Sequence, residues 1–333
     1  MIKLVTFGET MVQYNARYVG GYREEGEYLE DCAGAESNVA VDLGRLGVPG
    51  MEITWVSRLG DDAPGDLILT ELTGRIRVFA SKYVGQHTGI SYLNHYKDGE
   101  HVKTYHRKDS AASRLTFQEV KPHLEESDLL HLTGITPALS ETCRETVFDA
   151  LRYAVSSNLP VSLDLNFRPQ LWKAPEARSV FDEMLEFSSI LKLGYDEAET
   201  VWAKGWSPAE YARYFQSMNG GLVVLTLGSG GALACDGKDV ISHSGFSVEV
   251  LDPVGAGDAF VAGLLGGIFR RMRPETFLDL ASDARRPVLE EALRIANVCG
   301  ALTCTRRGDT AAMPTVQEVD EFLASNRTDS TAG

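Results

Sequence analysis

The segment DPVGAGDAF, which begins at Asp252, combines residues that can bind an anion with one that can move a proton. Gly255 and Gly257 flank Ala256, so backbone N–H groups can approach a ligand closely just before a predicted apolar helix. Free amides and the helix dipole favour an anion at such a point. Asp258 could accept a proton from a substrate hydroxyl while these amides stabilise a transferring phosphoryl group. A plain helix cap would use the same residue types.

Elements that could position this segment alternate along the chain. Apolar runs typical of buried strands are separated by stretches of helical period, which favours a mainly parallel sheet with crossover helices on both faces. The predicted strands span 2–7, 53–56, 129–132, 161–165, 190–193 and 222–227. The predicted helices span 36–46, 65–72, 141–156, 176–187, 208–218 and 287–303.

Two stretches interrupt this alternation. Residues 10–32 have no helical period, and residues 87–107 indicate a hairpin with its turn at 97–99. We expect these to pair as a small β-sheet lid over a site at the strand ends. The predicted α/β core is therefore 1–9, 33–86 and 108–324, the lid is 10–32 and 87–107, and 325–333 form a disordered tail.

Composition excludes several classes of protein. Lys+Arg total 32 and Asp+Glu total 47, a net charge of −15, which argues against a nucleic-acid-binding surface. The five cysteines include no C-x-x-C pair and suit reduced thiols. The first residues lack a signal-peptide pattern, and no apolar run is long enough to cross a bilayer. We therefore expect a cytoplasmic protein that does not bind a membrane.

Nucleotide-binding motifs of other folds are missing. The sequence contains no G-x-x-x-x-G-K-[ST], which excludes a P-loop enzyme. Phe260 stands where a dinucleotide fingerprint requires its third glycine, and the segment lies late in the chain. A dehydrogenase is therefore a remote alternative, which a failure to bind NAD would exclude.

Two signatures together resemble the ribokinase-like (PfkB) carbohydrate kinases. One is the run from Gly34 to Asn38 at the start of the first long helix, and the other is the DPVGAGD segment. Their order and separation fit that family, and the likeness extends from about residue 3 to 322. The resemblance implies a three-layer α/β/α core with a β-sheet lid, ATP as phosphoryl donor and Mg²⁺ to neutralise the phosphates.

Three further segments resemble the members of that family that phosphorylate 2-keto-3-deoxygluconate. They are YHRKDSAAS from Tyr105, HLTGITPAL from His131 and DLNFRPQLW from Asp164. This resemblance implies ATP-dependent phosphorylation of the terminal C6 hydroxyl, which gives 2-keto-3-deoxy-6-phosphogluconate. Arg107 and Arg168 suit the carboxylate of such a sugar acid, because guanidinium groups form charge-assisted hydrogen bonds. Either arginine could instead form a surface or interdomain ion pair.

The resemblance also implies a role for each matching position. Asp258 would be the base, and the amides of Gly255, Ala256 and Gly257 would form the anion hole. The sugar would contact Gly34, Asn38, Tyr92, Tyr105, Arg107, Ile135 and Arg168, the last of which could instead hold the γ-phosphate. ATP would contact Lys192, Thr226, Gly228, Gly231, Gly255, Gly257 and Asn297. Glu197 would hold Mg²⁺ through water, although Gly194 replaces the usual asparagine, and relatives bind a monovalent cation such as K⁺ near the position of Asp252.

Other functions remain open at this point. A fructokinase or another ketose kinase of the same family can share these patterns, but a neutral ketose needs no arginine over the site, so Tyr105 and Arg107 favour the sugar acid. A non-catalytic sugar-acid sensor is disfavoured because it needs no base facing an anion hole. Relatives with a β-sheet lid often form dimers in which the lids clasp, so we expect a homodimer of this kind.

Overall fold

A large sheet of nine strands forms the centre of the computed structural model, which describes residues 1–97 and 101–326. The strand order is β13-β12-β11-β10-β9-β8-β1-β4-β5, and all neighbours pair in parallel except at β12 and β13. Its strands are β1 (Ile2–Phe7), β4 (Met51–Gly60), β5 (Arg77–Tyr83), β8 (Leu129–Thr133), β9 (Val161–Asp164), β10 (Ile190–Gly194), β11 (Leu222–Thr226), β12 (Ala232–Cys235) and β13 (Val240–His243).

Helices cover both faces of this sheet. There are two apolar clusters, one on each face. Helices α3 and α5 to α8 pack in the first cluster, and α1 and α9 to α12 pack in the second. The helices are α1 (Ala35–Arg45), α2 (Ala63–Leu72), α3 (Phe117–Leu124), α4 (Thr136–Leu139), α5 (Glu141–Ser156), α6 (Ala174–Leu185), α7 (Tyr195–Trp202), α8 (Pro208–Asn219), α9 (Ala256–Phe269), α10 (Pro274–Leu278), α11 (Ser282–Cys304) and α12 (Val316–Ser325). No helix among the described residues has the length and apolar character to cross a membrane.

A separate sheet of four strands, called here the small sheet, contains β2 (Met11–Val19), β3 (Tyr28–Ala33), β6 (Ile90–His95) and β7 (His101–His106). Its strand order is β3-β2-β6-β7. The two stretches that lack helical period therefore do pair with each other, through the parallel contact of β2 with β6. The α/β class, the mainly parallel sheet and the separate small sheet that the sequence predicts are confirmed.

The close packing of α9 against α11 explains two helical glycines. A Cβ atom on Gly263 would lie 2.8 Å from the Cα of Ala296, and one on Gly267 would lie 2.8 Å from the Cα of Ala292. Real side chains do not tolerate such contacts, so α9 can approach α11 this closely only with glycine at both positions. This packing fixes the N-terminus of α9, where the DPVGAGD segment ends.

Some elements differ from the prediction. The sequence analysis missed β5, β12 and β13, which form the two edges of the large sheet; β5 alternates exposed and half-buried residues, and β12 is only four residues long. The last predicted helix begins earlier, at Ser282 rather than 287. Part of the predicted turn, 98–99, and the predicted tail beyond residue 326 lie outside the described residues. All five cysteines are free thiols, and four of them are buried.

Candidate active site

The carboxyl ends of five neighbouring strands meet at one edge of the large sheet. Glu9 follows β1, Ile135 follows β8, Asn166 follows β9, Glu197 follows β10, and Thr226 ends β11. All five residues line one cavity of about 570 Å³. A cleft outside the carboxyl ends, where the connections from the neighbouring strands β1 and β8 leave in opposite directions, is the usual position for a ligand in an open α/β sheet.

Asp258 lies in the first turn of α9 and is buried at the floor of this cavity. Asn38 donates its side-chain amide to Oδ2 over 2.7 Å, and Asn166 donates to Oδ1 over 3.1 Å. Burial raises the pKa of Asp258 above its usual value; the hydrogen bond from Asn38 opposes that shift, and the charge of Asp164 adds to it. A fixed carboxylate with a raised pKa is a better proton acceptor than an ordinary aspartate.

The backbone before Asp258 has the form of an anion-binding site. Gly255 is the N-cap of α9 and has a φ of 79°, and a Cβ atom there would lie 2.8 Å from Oδ1 of Asp309. Only glycine suits this position, because the backbone is left-handed and the Asp309 side chain leaves no room for a Cβ atom. The amides that follow are at the N-terminus of a 14-residue helix, where an anion is stabilised.

Lys192 lies beside these amides. Its Nζ would be 3.3 Å from a Cβ atom on Gly257, and it donates to both carboxylate oxygens of Asp164, at 3.2 and 3.0 Å. Burial alone would lower the pKa of Lys192, but the charges of Asp164 and Glu197 outweigh it and raise the pKa. The ammonium group is therefore charged and adjacent to the helix N-terminus, where the sequence analysis predicts the ATP phosphates.

Arg107 lies at the other end of the cavity in a buried ion pair. Its Nε and Nη2 both donate to Oε2 of Glu9 over 2.6 Å, and Ser110 donates its hydroxyl to Oε1 of the same carboxylate. The exposed fractions of the two charged side chains are only 10% and 0%. Arg107 does line the cavity, as predicted, but much of its hydrogen-bonding capacity and its formal charge are already matched within the chain.

Lys103 and Asp309 also line the cavity, and the sequence analysis missed both. Lys103 stands two residues before Tyr105 on β7, and Nζ lies 3.8 Å from Oδ2 of Asp309. Asp309 accepts a hydrogen bond from Asn38 over 2.7 Å. Burial raises the pKa of Asp309 to about 7, which Lys103 opposes. The alternation of Lys103, Tyr105 and Arg107 was a signal that could have revealed the lysine; nothing local distinguishes Asp309.

Tyr92 does not lie where the sequence analysis placed it. It stacks on Tyr14 at 5.2 Å between ring centroids and belongs to a tyrosine cluster on the face of the small sheet opposite Tyr105. Because side chains alternate along β6, the residue that shares the face of Tyr105 is Ser91, its direct partner in register. The prediction was wrong by one position, which moves a strand residue to the other face.

The other predicted sugar contacts lie at the cavity. Gly34, Asn38, Ile135 and Arg168 all line it. A Cβ atom on Gly34 would lie 2.4 Å from the backbone oxygen of Glu9, so this position tolerates only glycine. Burial raises the pKa of both Asp258 and Glu197, and the charge of Arg168 opposes this rise at each of them. Arg168 is therefore close to both carboxyl groups in the cavity.

A second cavity of about 530 Å³ adjoins the first and shares Thr226, Gly228, Pro253 and Gly257 with it. It is bounded by the glycine turn after β11 and by α11, and its lining includes the remaining predicted ATP contacts, Gly231 and Asn297, together with Ala256 of the predicted anion hole. Asn297 is buried and donates its side-chain amide to the backbone oxygen of Leu293. The two cavities meet at the N-terminus of α9, beside Asp258.

The predicted metal contact Glu197 lines the first cavity near this junction. Its Oε1 accepts the N–H of Phe167 over 2.7 Å and its Oε2 accepts that of Gly194 over 2.6 Å. Each carboxylate oxygen retains a second lone pair, so Glu197 can still accept a hydrogen bond from a water bound to Mg²⁺. No cluster of three acidic, histidine or cysteine ligands occurs among residues 1–97 and 101–326.

Asp252, the predicted neighbour of a monovalent cation, is fully buried. Its Oδ1 accepts the N–H of Val254, and its Oδ2 has no hydrogen-bond partner among the described residues. The backbone N–H groups of Leu251 and Asp252 donate to the carbonyl oxygen of Cys304, at the end of α11. A cation at this position stays a prediction.

Comparison with known proteins agrees with this arrangement. A family model described as pfkB family carbohydrate kinase matches residues 1–316. Among curated relatives, the 2-dehydro-3-deoxygluconokinase of Bacillus subtilis is 32% identical over 97% of this chain and 96% of that protein. The 2-dehydro-3-deoxygalactonokinase of Haloferax volcanii is 31% identical over 96% of each. Fructokinase-2 of Solanum habrochaites is 30% identical over 96% of this chain and 95% of that protein.

Solved structures share the same fold. A protein of E. coli described as a ribokinase II, in complex with ATP and Mg²⁺, superposes with a TM-score of 0.83 and 23% sequence identity. The match covers 98% of this chain and 100% of the other. At this identity the likeness shows the fold alone.

Proposed function

Because the chain belongs to the pfkB family of carbohydrate kinases and is an ATP-using sugar kinase, we propose that its acceptor is a sugar acid, 2-keto-3-deoxygluconate. The product would be 2-keto-3-deoxy-6-phosphogluconate. The observation that carries this proposal is the composition of the cavity wall next to the small sheet, where Lys103 and Tyr105 project from one face of β7 and Arg107 follows the strand. The relatives from Bacillus subtilis and Haloferax volcanii are named for keto-deoxy sugar acids, which supports the choice.

In the proposed reaction the terminal hydroxyl of the sugar acid donates its proton to Asp258. Asn38 and Asn166 hold the two carboxylate oxygens, so the base does not rotate as the proton moves. The amides after Gly255 stabilise the charge of the transferring phosphoryl group, and Lys192 and Arg168 add positive charge on the same side. Mg²⁺, when bound with ATP, neutralises the phosphates, and Glu197 would hold it through water.

The arrangement of the two cavities supports direct transfer. The acceptor would occupy the first cavity and the nucleotide the second, and the amides of α9 lie where they meet. Donor and acceptor would then approach from opposite sides of the anion hole, which suits an in-line displacement. Such a site needs little covalent chemistry from the protein beyond the base and the positioning groups.

A coupled assay of ADP release with ATP and Mg²⁺ tests the proposal. The acceptors compared are 2-keto-3-deoxygluconate, fructose, ribose and gluconate, and the expected result is the highest kcat/KM for the keto-deoxy acid. A preference for fructose would contradict the proposed substrate and leave the kinase assignment intact. Asp258→Asn serves as the inactive control in every reaction, because any acceptor needs the same base.

A neutral ketose is the second candidate acceptor, and one observation favours it. The ion pair of Arg107 with Glu9 has no net charge, so this arginine does not by itself require an anionic substrate. The Solanum habrochaites relative is named a fructokinase and is nearly as similar as the other two. The assay above separates the two acceptors directly.

We also expect a homodimer formed through the outer face of the small sheet. That face carries Tyr14, Tyr28 and Tyr92 in mutual contact, with Tyr22 packed against two of them and 60% exposed. An exposed aromatic cluster is typical of an interface. Sedimentation of the wild type and of Tyr22→Glu tests the expectation: a dimer that dissociates in the variant supports it, and a monomeric wild type contradicts it.

A further inference from the structure

A positively charged residue can attract an anionic substrate only if its charge is not already neutralised within the protein. At the small-sheet end of the cavity this condition distinguishes Arg107 from Lys103. Glu9 is the fully buried counter-ion of Arg107, which contacts it through two nitrogens of its guanidinium. Removing Glu9 from Arg107 to accommodate a substrate carboxylate would leave a buried charge without a partner, which is strongly unfavourable. Arg107 can still donate a hydrogen bond from Nη1, but the pair contributes no net charge to attract an acid.

Lys103 is in a different position. Strand alternation places its side chain on the same face of β7 as Tyr105, and both line the cavity. Its charged neighbour among the described residues is Asp309, whose Oδ2 lies 3.8 Å from Nζ, beyond hydrogen-bond distance. The ammonium group has three donors, so this loose contact leaves capacity for an incoming carboxylate.

Asp309 itself is not a firm counter-ion. It is buried among the acidic groups Asp31, Asp252 and Asp258, and burial with these charges raises its pKa to about 7. Lys103 is the positive group that opposes this shift. Near neutral pH part of the Asp309 population is therefore protonated, and in that state Lys103 faces the cavity without a compensating charge.

The same face of the small sheet carries buried polar groups that lack partners. Gln13 pairs in register with Ser91, and Ser91 with Tyr105, so these three side chains form one row beside Lys103. Gln13 and Ser91 are each 0% exposed, and neither side chain has a hydrogen-bond partner among the described residues. Buried polar groups are normally satisfied, so this row points to buried water behind the cavity wall; Gln13 and Ser91 do not line the cavity themselves.

We propose that Lys103 is the residue that selects an anionic substrate, by contacting the carboxylate of the sugar acid, while the Glu9–Arg107 pair positions the same end of the substrate as a neutral unit. The inference rests on the proposed function, because it assigns the acid end of that substrate to one side of the cavity. The C6 hydroxyl would approach Asp258, which is linked through Asn38 to Asp309, the counter-ion of Lys103.

The test compares two acceptors and four forms of the full-length enzyme. The acceptors are 2-keto-3-deoxygluconate and its methyl ester, which has the same shape without the negative charge. The enzymes are the wild type, Lys103→Met, Lys103→Arg and Lys108→Met. Lys108 is exposed, does not line the cavity and follows Arg107 directly, so its replacement removes the same charge from nearby and provides the matched control.

Loss of a charge-assisted contact predicts a rise of roughly 10-fold to 100-fold in KM for the acid in Lys103→Met. The KM for the methyl ester, the KM for ATP and kcat should each change by less than about 3-fold, because the lysine contacts only the charged group. Lys103→Arg should restore most of the affinity for the acid, and Lys108→Met should match the wild type.

Two results would overturn the inference. One is a KM for the acid in Lys103→Met within about twofold of the wild type. The other is an equal loss with acid and ester, which would give Lys103 a structural role. If the wild type itself fails to phosphorylate the acid, the proposed function fails and the inference with it; that outcome is read from the wild type alone, so the two failures are distinguishable.

Discussion

The two ends of the first cavity satisfy their charges in opposite ways. At the end next to the large sheet, Asp258 accepts hydrogen bonds from two asparagines and Lys192 is bonded to Asp164. At the small-sheet end, Lys103 has only a distant partner, and Gln13 has none among the described residues. The charged groups Asp258 and Lys192 are thus paired before any ligand binds, whereas Lys103 retains hydrogen-bonding capacity for a ligand.

This difference suggests separate roles for the two ends of the cavity: one end carries out the reaction, and the other selects the substrate. A base and an anion hole must be held rigidly, because catalysis depends on groups that need no reorganisation during the reaction. Residues that choose among sugars can instead be completed by the substrate they bind. We therefore expect a substitution at Lys103 to change the specificity without altering the reaction.

The largest effect should come from the rigid end. Asp258→Asn keeps the size of the side chain and removes the proposed base, so kcat should fall roughly 10²–10⁴-fold. One of the two asparagine donors then faces an NH2 group, so thermal unfolding checks that the variant is still folded. Steady-state ADP release measures kcat. Near-normal kcat in a folded variant would show that Asp258 is only a helix cap.

At the small-sheet end, Arg107→Ala should act on stability as well as on binding. It leaves the carboxylate of Glu9 buried without its partner, which costs about 3–5 kcal/mol of unfolding free energy. The double variant Glu9→Gln/Arg107→Met removes both charges and should recover most of this loss. Denaturant unfolding of the three proteins provides the comparison. Equal destabilisation by the single and double changes would mean that the pair itself, rather than the orphaned charge, matters.

The pH dependence of kcat tests how the asparagines hold the base. Protonation of Asp258 abolishes its function, so activity should fall about tenfold per pH unit below its pKa, which burial raises above that of an ordinary aspartate. The hydrogen bond from Asn38 favours the charged form, so Asn38→Ala should move this acid limb to higher pH. A limb at the same pH in both proteins would argue against the coupling of Asn38 to the base.

The smallest effect concerns a carboxyl group behind the site. Asp42 on α1 is fully buried, neither of its oxygens has a hydrogen-bond partner among the described residues, and burial raises its pKa well above the usual value. Its contribution to stability is complete below the unfolded-state pKa of about 3.9 and is lost as pH rises toward the folded-state pKa, at up to about 1.4 kcal/mol per pH unit.

Asp42→Asn cannot ionise and should escape this loss. Its unfolding free energy relative to the wild type should therefore increase between acidic and neutral pH, and Asp196→Asn, on the surface of α7, serves as the control. A constant difference across that pH range would show that Asp42 stays ionised in the folded protein.

The order of elements and the reactive end of the site could be predicted from the sequence because their signals are local. The apolar periods of β1, β8 to β11 and α5 mark buried elements wherever they pack. The run from Gly255 to Asp258 likewise contains in adjacent residues the turn, the anion hole and the base. The prediction failed at the sheet edges, where β5 and β13 have half-exposed patterns, and at Tyr92, where a shift of one residue along β6 exchanges the two faces.

The sequence by itself therefore determined the fold class, the family and the position of the candidate base, since each depends on contiguous residues or on their periodicity. Only the tertiary structure decided that Glu9 neutralises Arg107, that Lys103 faces Asp309, and that Asn38 and Asn166 hold Asp258. Partners in these contacts are separated by 92 to 220 residues in most cases, and hydrogen bonds and ion pairs between distant residues leave no pattern in a single chain. We expect these contacts to determine specificity, and they form only in the folded protein, because the cavity lies where the small sheet meets the strand ends.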